Sequence, residues 1–277
     1  MMISHNKQKK IAVINDISGF GRCSLTVSIP VISKLKVQCC PVPTAILSNH
    51  TGFPNWFFDD YTEKMPEYID NWEKIGLKFS AVYSGFLGSE RQIEMVLDFI
   101  RRFRMEETLV VVDPVMGDYG KTYSTYTPQM CSEMKKLVEC ADILTPNITE
   151  ACILTDTPYK ERWHKEEVRV IARKLLEQGP DKVVITGIVQ RSYIANYVCT
   201  KDGEDHFLRT LRVGTQRSGT GDIFASIIAA DAVNGVNFTQ SVKKASNFVK
   251  KCILRSVELD VPLTDGVAFE DVLDELR

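Results

Sequence analysis

Four short segments carry the residue types that polar chemistry needs. Asn15-Asp16-Ile17-Ser18-Gly19-Phe20-Gly21, Asp113-Pro114-Val115-Met116-Gly117-Asp118, Thr145-Pro146-Asn147-Ile148-Thr149-Glu150 and Arg217-Ser218-Gly219-Thr220-Gly221-Asp222 gather acidic residues and glycines. The last is the most informative. Its two glycines let backbone amides approach an anion closely, and the run Ile-Phe-Ala-Ser-Ile-Ile-Ala-Ala after Asp222 reads as a helix. A helix starting there aims unpaired N–H groups and its positive dipole end at that anion. Asp222 falls in the first turn, where a carboxylate is electrostatically favoured. A phosphate and a carboxylate side by side suit phosphoryl transfer. The amides stabilise charge on the transferring group, and the carboxylate orients or deprotonates the attacking hydroxyl. A glycine-rich turn with Asp as a simple cap has the same pattern, so the tetrapeptide alone leaves both readings open.

Asn147 and Glu150 are three apart at a helix start and share a face. With Asp113 they could hold Mg²⁺ through water, since this ion keeps several waters and uses few carboxylates. Helix capping is the competing reading of the same pair. Ser48-Asn49-His50-Thr51-Gly52-Phe53-Pro54 is polar, then aromatic. It could line a pocket for a flat ring or be a surface loop. No G-x-x-x-x-G-K-[ST] run occurs, which excludes a Walker-type nucleotide site.

The elements that must position these residues alternate. Candidate strands are Ile11–Asn15, Val37–Cys40, Ala81–Ser84, Leu109–Asp113, Ile143–Leu144 and Val183–Thr186. Leu-Val-Val-Val lacks polar alternation, as strands buried on both faces do. Helical patterns lie at Ser24–Leu35, Thr62–Ile75, Glu90–Arg104, Pro128–Cys140, Ile148–Leu154 and Lys165–Gln178, the last stopped by Gly179-Pro180. This rhythm implies a mainly parallel sheet with helices on both faces. In such sheets ligands bind beyond the carboxyl ends of the strands, where the four segments fall. After Thr186 the pattern changes. Tyr193–Thr200 and His206–Leu211 flank a Lys201-Asp202-Gly203-Glu204 turn and read as a hairpin. Gly219–Asn234 and Ser241–Val257 read as two further helices.

The 277 residues, 44% apolar and 25% charged, allow one large core, and no linker or repeat divides them. We expect a single domain over 1–277, with residues 1–10 flexible. A net charge of -2 argues against nucleic acid or a membrane as the main partner. No apolar run approaches the roughly 18 residues of a membrane span, and Ile11–Ile14 is too short for a signal peptide, so a cytoplasmic location is expected. The eight cysteines form no C-x-x-C pair and read as reduced thiols rather than a zinc site. The Phe53–Phe58 aromatic cluster is expected to pack in a subunit interface or the core.

In combination these segments resemble the ribokinase-like superfamily, in Gly219-Thr220-Gly221-Asp222 and in Asn147 to Glu150. Ser48-Asn49-His50-Thr51-Gly52, Ser84-Gly85-Phe86-Leu87-Gly88-Ser89 and Asp113 to Asp118 are more specific, and resemble pyridoxal kinases in order and spacing from about residue 11 to 255. The resemblance implies a ribokinase-like three-layer α/β/α sandwich with a mainly parallel sheet and an antiparallel hairpin toward the edge. It implies transfer of phosphate from ATP to the 5′-hydroxymethyl group of a B6 vitamer. Asp222 would be the base and Gly219, Thr220 and Gly221 the anion hole. Asp113 and Glu150 would serve Mg·ATP, with Asn147 supporting the metal's water shell. Asp118, Thr145 and Thr186 match positions for a monovalent cation (K⁺ or Na⁺) or the phosphates. Asp16, Ser18, His50 and Thr51 would lie on the substrate side, Tyr126 on the nucleotide side, and the 193–211 hairpin near adenine. The family is usually a homodimer. Asp16 stands where pyridoxal kinases commonly place serine, and resembles hydroxymethylpyrimidine kinases and ribokinases instead. Asp222 in place of a cysteine, and no cysteine in Gly214–Ser218, favour the pyridoxal-kinase branch. A pyrimidine or sugar kinase and a non-catalytic ligand sensor on the same fold are the alternatives.

Overall fold

Strands without polar alternation need cover on both faces, and the chain supplies it. The computed structural model describes residues 6–277. In chain order it has β1 (Lys10–Ser18), α1 (Leu25–Lys34), β2 (Gln38–Leu47), β3 (Phe58–Asp60), α2 (Met65–Lys74), β4 (Ala81–Ser84), α3 (Glu90–Phe103) and β5 (Leu109–Val112). A two-residue pair follows, β6 (Gly117–Asp118) and β7 (Lys121–Thr122), then α4 (Pro128–Glu139), β8 (Ile143–Leu144), α5 (Ile148–Leu154) and α6 (Lys165–Glu177). The chain ends with β9 (Lys182–Gln190), β10 (Tyr193–Thr200), β11 (Asp205–Leu211), α7 (Thr220–Asn234), α8 (Phe238–Glu258) and 3₁₀ turns at Leu263–Asp265 and Glu270–Glu275.

Nine strands form one sheet in the order β11-β10-β9-β8-β5-β4-β1-β2-β3. The six central strands are parallel; β10, β11 and β3 run antiparallel at the two edges. The period of two in each strand divides the core. Ala12, Ile14, Val82, Val110, Val112, Leu144, Val183 and Ile185 pack with residues of α2 to α6. Ile11, Val13, Tyr83, Val111, Ile143 and Val184 pack with residues of α1, α7 and α8. The expected three-layer α/β/α sandwich is therefore the observed one, including the 193–211 hairpin. No helix among the described residues is long and apolar enough to cross a membrane.

The differences have local causes. Strand β2 runs on to Leu47 through Pro41 and Pro43, which end a sequence-based strand but are tolerated beside an unpaired edge. Only Ala45–Leu47 are paired by β3 on that outer side, and the Tyr68 hydroxyl donates to the Pro41 carbonyl (2.8 Å). Helix α8 begins at Phe238 because the Asn237 side chain accepts from the Gln240 amide. Of the stretch expected to be flexible, residues 1–5 lie outside the described residues; Lys10 opens β1, and its Nζ donates to the Asn6 and Gln8 carbonyls.

From β1 the chain crosses by α1 to β2 on one side, and from β4 it crosses by α3 to β5 on the other. The helices lie on opposite faces. A crevice therefore opens at the carboxyl ends of β1 and β4.

Helix α3 is held by an aromatic cluster in which the Phe99 ring lies 4.4 Å from Phe103 and 5.8 Å from Phe79, centroid to centroid. Phe99→Ala should cost about 3–5 kcal/mol. Urea unfolding checks it, and a loss below about 1 kcal/mol would contradict this packing.

Candidate active site

The crevice is built around the N-terminus of α7. Gly219 caps the helix with φ 83°, and a Cβ there would collide with the carbonyl oxygen of Arg22. Gly219 has no side chain to cap the first turn, so the amides of Thr220 and Gly221 are left for a ligand, while that of Asp222 bonds its own carboxylate. The Thr220 hydroxyl is tied back to the Arg217 carbonyl (3.1 Å), while Gly221 faces open space. Asp222 accepts from Asn15 Nδ2 (3.2 Å) and from the backbone amide of Ser24. Burial raises its pKa, and these hydrogen bonds oppose the rise.

Asn15 was not singled out in the sequence, yet it joins three elements. Its Oδ1 accepts from the Asp16 (3.0 Å) and Phe86 (2.9 Å) amides, and its Nδ2 reaches Asp222. The available signal was an asparagine ending an apolar strand, because buried amides are rarely left unbonded.

On the other side of Asp222, Asp16 is buried and both its oxygens are taken. Ser24 Oγ donates to one (2.5 Å) and Ser18 Oγ to the other (3.0 Å). Burial, with the nearby charge of Asp222, pushes its pKa up to about 6. The loop that follows β1 is sharply turned: Arg22 and Ser24 have φ of 48° and 56°. His50 is engaged at both ring nitrogens. The Gly52 amide donates to Nδ1 (3.0 Å), which leaves the proton on Nε2, 2.7 Å from the Thr264 carbonyl oxygen. The ring also packs on Phe53, which reaches Phe20 across the crevice mouth (centroids 4.8 and 5.6 Å). Thr51 is exposed at the loop tip. Trp56, Phe57 and Phe58 are 48%, 63% and 45% exposed, so core packing is not their role in the single chain.

The third group lies beyond β5 and β8. Glu150 is 3% exposed and each oxygen accepts a backbone amide, from Met116 (3.0 Å) and Asn147 (2.8 Å). Asn147 caps α5 reciprocally and donates to the Gly117 carbonyl (2.8 Å). Thr186 adjoins it in the sheet. Asp113 follows β5 with its pKa raised well above the carboxylate range by burial, then by the charges of Glu150 and Asp222. Burial likewise lifts Glu150 to about 7. Asp118 accepts from the Tyr119 amide (2.8 Å) and from Gln216 Nε2 (2.7 Å), which links the β6–β7 turn to the segment before α7. The Thr145 hydroxyl is buried against the Val112 carbonyl (3.5 Å). Among the described residues no three His, Cys, Asp or Glu converge closely enough to hold a metal ion by themselves. Tyr126 is buried, with its hydroxyl 3.3 Å from the carbonyl oxygen of Pro114, the residue after Asp113.

An anion-ready helix end, an adjacent carboxylate and an acidic far wall are the parts of a kinase, a phosphotransferase acting on an alcohol group. The chain belongs to the phosphomethylpyrimidine kinase family, whose model matches residues 28–263. A Bacteroides thetaiotaomicron protein provisionally assigned as a phosphomethylpyrimidine kinase, and crystallised with pyridoxal, is 38% identical with a TM-score of 0.94. The match covers 98% of this chain and 96% of that one. The pyridoxal kinase of Lactobacillus plantarum is 25% identical with a TM-score of 0.89, over 97% and 96% of the two chains. The pyridoxine/pyridoxal/pyridoxamine kinase of Bordetella avium is 28% identical, over 91% of this chain and 89% of its own length. The expected resemblance to pyridoxal kinases is borne out.

Asp16 gives a pH prediction. Its folded pKa of about 6 lies above the unfolded carboxylate value near ~4. Stability from this group is thus present below pH ~4 and lost as pH rises through about 6. Asp16→Asn should be more stable than wild type at pH 8 and not at pH 4. Denaturant titrations at both values decide it, and equal differences at the two would refute it.

Proposed function

We propose that the chain transfers the γ-phosphoryl group of ATP to the 5′-hydroxymethyl group of a B6 vitamer: pyridoxal, pyridoxine or pyridoxamine. The observation that carries this reading is Asp222, fixed by Asn15 beside the uncapped amides of α7. The likeness to a pyridoxal-bound structure over 98% of the chain supports it. A single kinase domain spanning 1–277 goes with it.

In this mechanism Asp222 accepts the alcohol proton as the new O–P bond forms and the bond to the β-phosphate oxygen breaks, releasing ADP. The carboxylate is a weak base, so positioning and charge stabilisation supply much of the rate. The Gly219, Thr220 and Gly221 turn receives the phosphoryl oxygens. Asp113 and Glu150 would hold Mg²⁺, which would supply charge neutralisation beside the phosphates. Because both Glu150 oxygens are bonded to amides, that residue would act through water, with Asn147 beside it. Asp118, Thr145 and Thr186 would serve a monovalent cation or the phosphates. Asp16, Ser18, His50 and Thr51 shape the vitamer side, His50 by holding its loop. The β10–β11 hairpin lies toward adenine. The exposed Trp56–Phe58 face suits a homodimer interface, and eight free cysteines suit the cytoplasm.

Asp16 favours one second reading: hydroxymethylpyrimidine as the acceptor. The discriminating assay is ADP release with Mg·ATP and K⁺, with each vitamer and the pyrimidine supplied separately. Turnover with a vitamer well above the pyrimidine is expected. The reverse preference would move the substrate assignment to the pyrimidine, and no acceptor-dependent release would leave a ligand sensor. Asp222→Asn should lower kcat by roughly 10²-fold or more with modest change in KM; near-normal kcat would sink the base assignment.

A further inference from the structure

Arg217 opens the Arg217-Ser218-Gly219-Thr220-Gly221-Asp222 segment, and neither base nor anion hole gives it a role. It is 8% exposed. Its guanidinium faces carbonyls rather than a carboxylate: Nη1 donates to Val261 (2.7 Å), Pro262 (2.9 Å) and Gly266 (3.5 Å). Its Nε is buried and has no hydrogen-bond partner among the described residues. Burying a cation this way is costly, and an apolar side chain would avoid the cost. The planar guanidinium presents one end, Nη1, to all three carbonyls, and its rigid geometry fixes their direction in a way that a flexible lysine stem would not.

The segment it grips is shared. The Thr264 carbonyl lies 2.7 Å from His50 Nε2, and the Asp265 carbonyl accepts from Arg22 Nη1 (3.0 Å). Gly266 lies so close to the Gly21 carbonyl that a Cβ would collide with it. Side chains from three separate loops thus converge on Val261–Gly266. Two belong to the vitamer side, and Arg217 belongs to the phosphate side. The Arg22 carbonyl, in turn, abuts Gly219 at the helix cap.

We propose that Arg217 is a positioning residue for phosphoryl transfer, which uses Val261–Gly266 as a brace to fix the α7 amides at a set separation from the His50 loop. The acceptor hydroxyl and the γ-phosphorus must approach in line, and a misplacement of about 1 Å costs on the order of 10²-fold in rate. Arg217 touches neither reactant; it acts through the backbone it holds. The kcat part of the proposal rests on the kinase reading above, whereas the nucleotide-binding part does not.

The test compares wild type, Arg217→Lys and Arg217→Gln in the full chain, well below each variant's Tm. Calorimetric titration gives Kd for Mg·ADP, and steady-state assays give kcat and both KM values. With the planar donor lost, Kd should rise roughly 10-fold in Arg217→Gln and less in Arg217→Lys, and kcat should fall about 10-fold or more. Wild-type Kd and kcat within twofold in a folded variant, with only Tm lowered, would overturn the proposal and leave a purely structural arginine. Should Arg217→Gln fail to fold, Arg217→Lys decides alone, because it keeps the charge and loses only the rigid planar geometry. Absence of turnover with every acceptor in the wild type would count against the proposed function, while the Mg·ADP titration would still judge Arg217.

Discussion

The close approach of the α7 N-terminus to the loop after β1 is the constraint on which the site depends. Gly219 meets the Arg22 carbonyl with no room for a Cβ. That contact brings a helix packed against α1 and α8 up to the carboxyl end of β1. It also brings Asp222 within reach of Asn15 and Ser24. The small residues of α7, with buried alanines at 225, 229 and 230, allow the helix to lie this deep. The loop accommodates it with left-handed backbone at Arg22 and Ser24, conformations that side chains other than glycine seldom adopt and that surrounding contacts must enforce.

Much of this was legible beforehand because the governing signals are local. Leu109–Val112 shows two-sided burial by its lack of alternation, and the cap at Asn147 with Glu150 shows in a spacing of three. The sheet edges were not legible. Phe58–Asp60 has no strand pattern of its own and pairs only because β2 leaves Ala45–Leu47 open. The extension of β2 was hidden by two prolines whose missing N–H groups matter only if the neighbouring strand needs them.

The site divides in the same way. Glycines and carboxylates at strand ends announced the crevice, since ligands gather there in parallel sheets. Asn15 and Arg217 were passed over because their roles are relational. Asn15 matters through Phe86 and Asp222, which lie 71 and 207 residues away in sequence. Arg217 matters through carbonyls that could come from any segment. Tyr126 is likewise relational: its hydroxyl bonds the carbonyl of Pro114, next to Asp113, a contact that no local pattern announces.

Four buried carboxylates set the electrostatics of this strand-end site. Burial raises Asp16, Asp113, Glu150 and Asp222 together, and Asp222 adds its charge to Asp16 and Asp113. Negative charge is therefore disfavoured among these side chains, yet the donor phosphates of the proposed reaction are anions. Spatial separation would reconcile the two conditions. The phosphate oxygens would face amides at α7, where the helix end is positive. The acidic wall faces them from β5 and α5, with Glu150 saturated by amides on both oxygens. A cation between wall and phosphates, as the proposed mechanism requires, would turn mutual repulsion into attraction on both sides, and its binding would offset the cost of keeping Asp113 and Glu150 charged where they are buried.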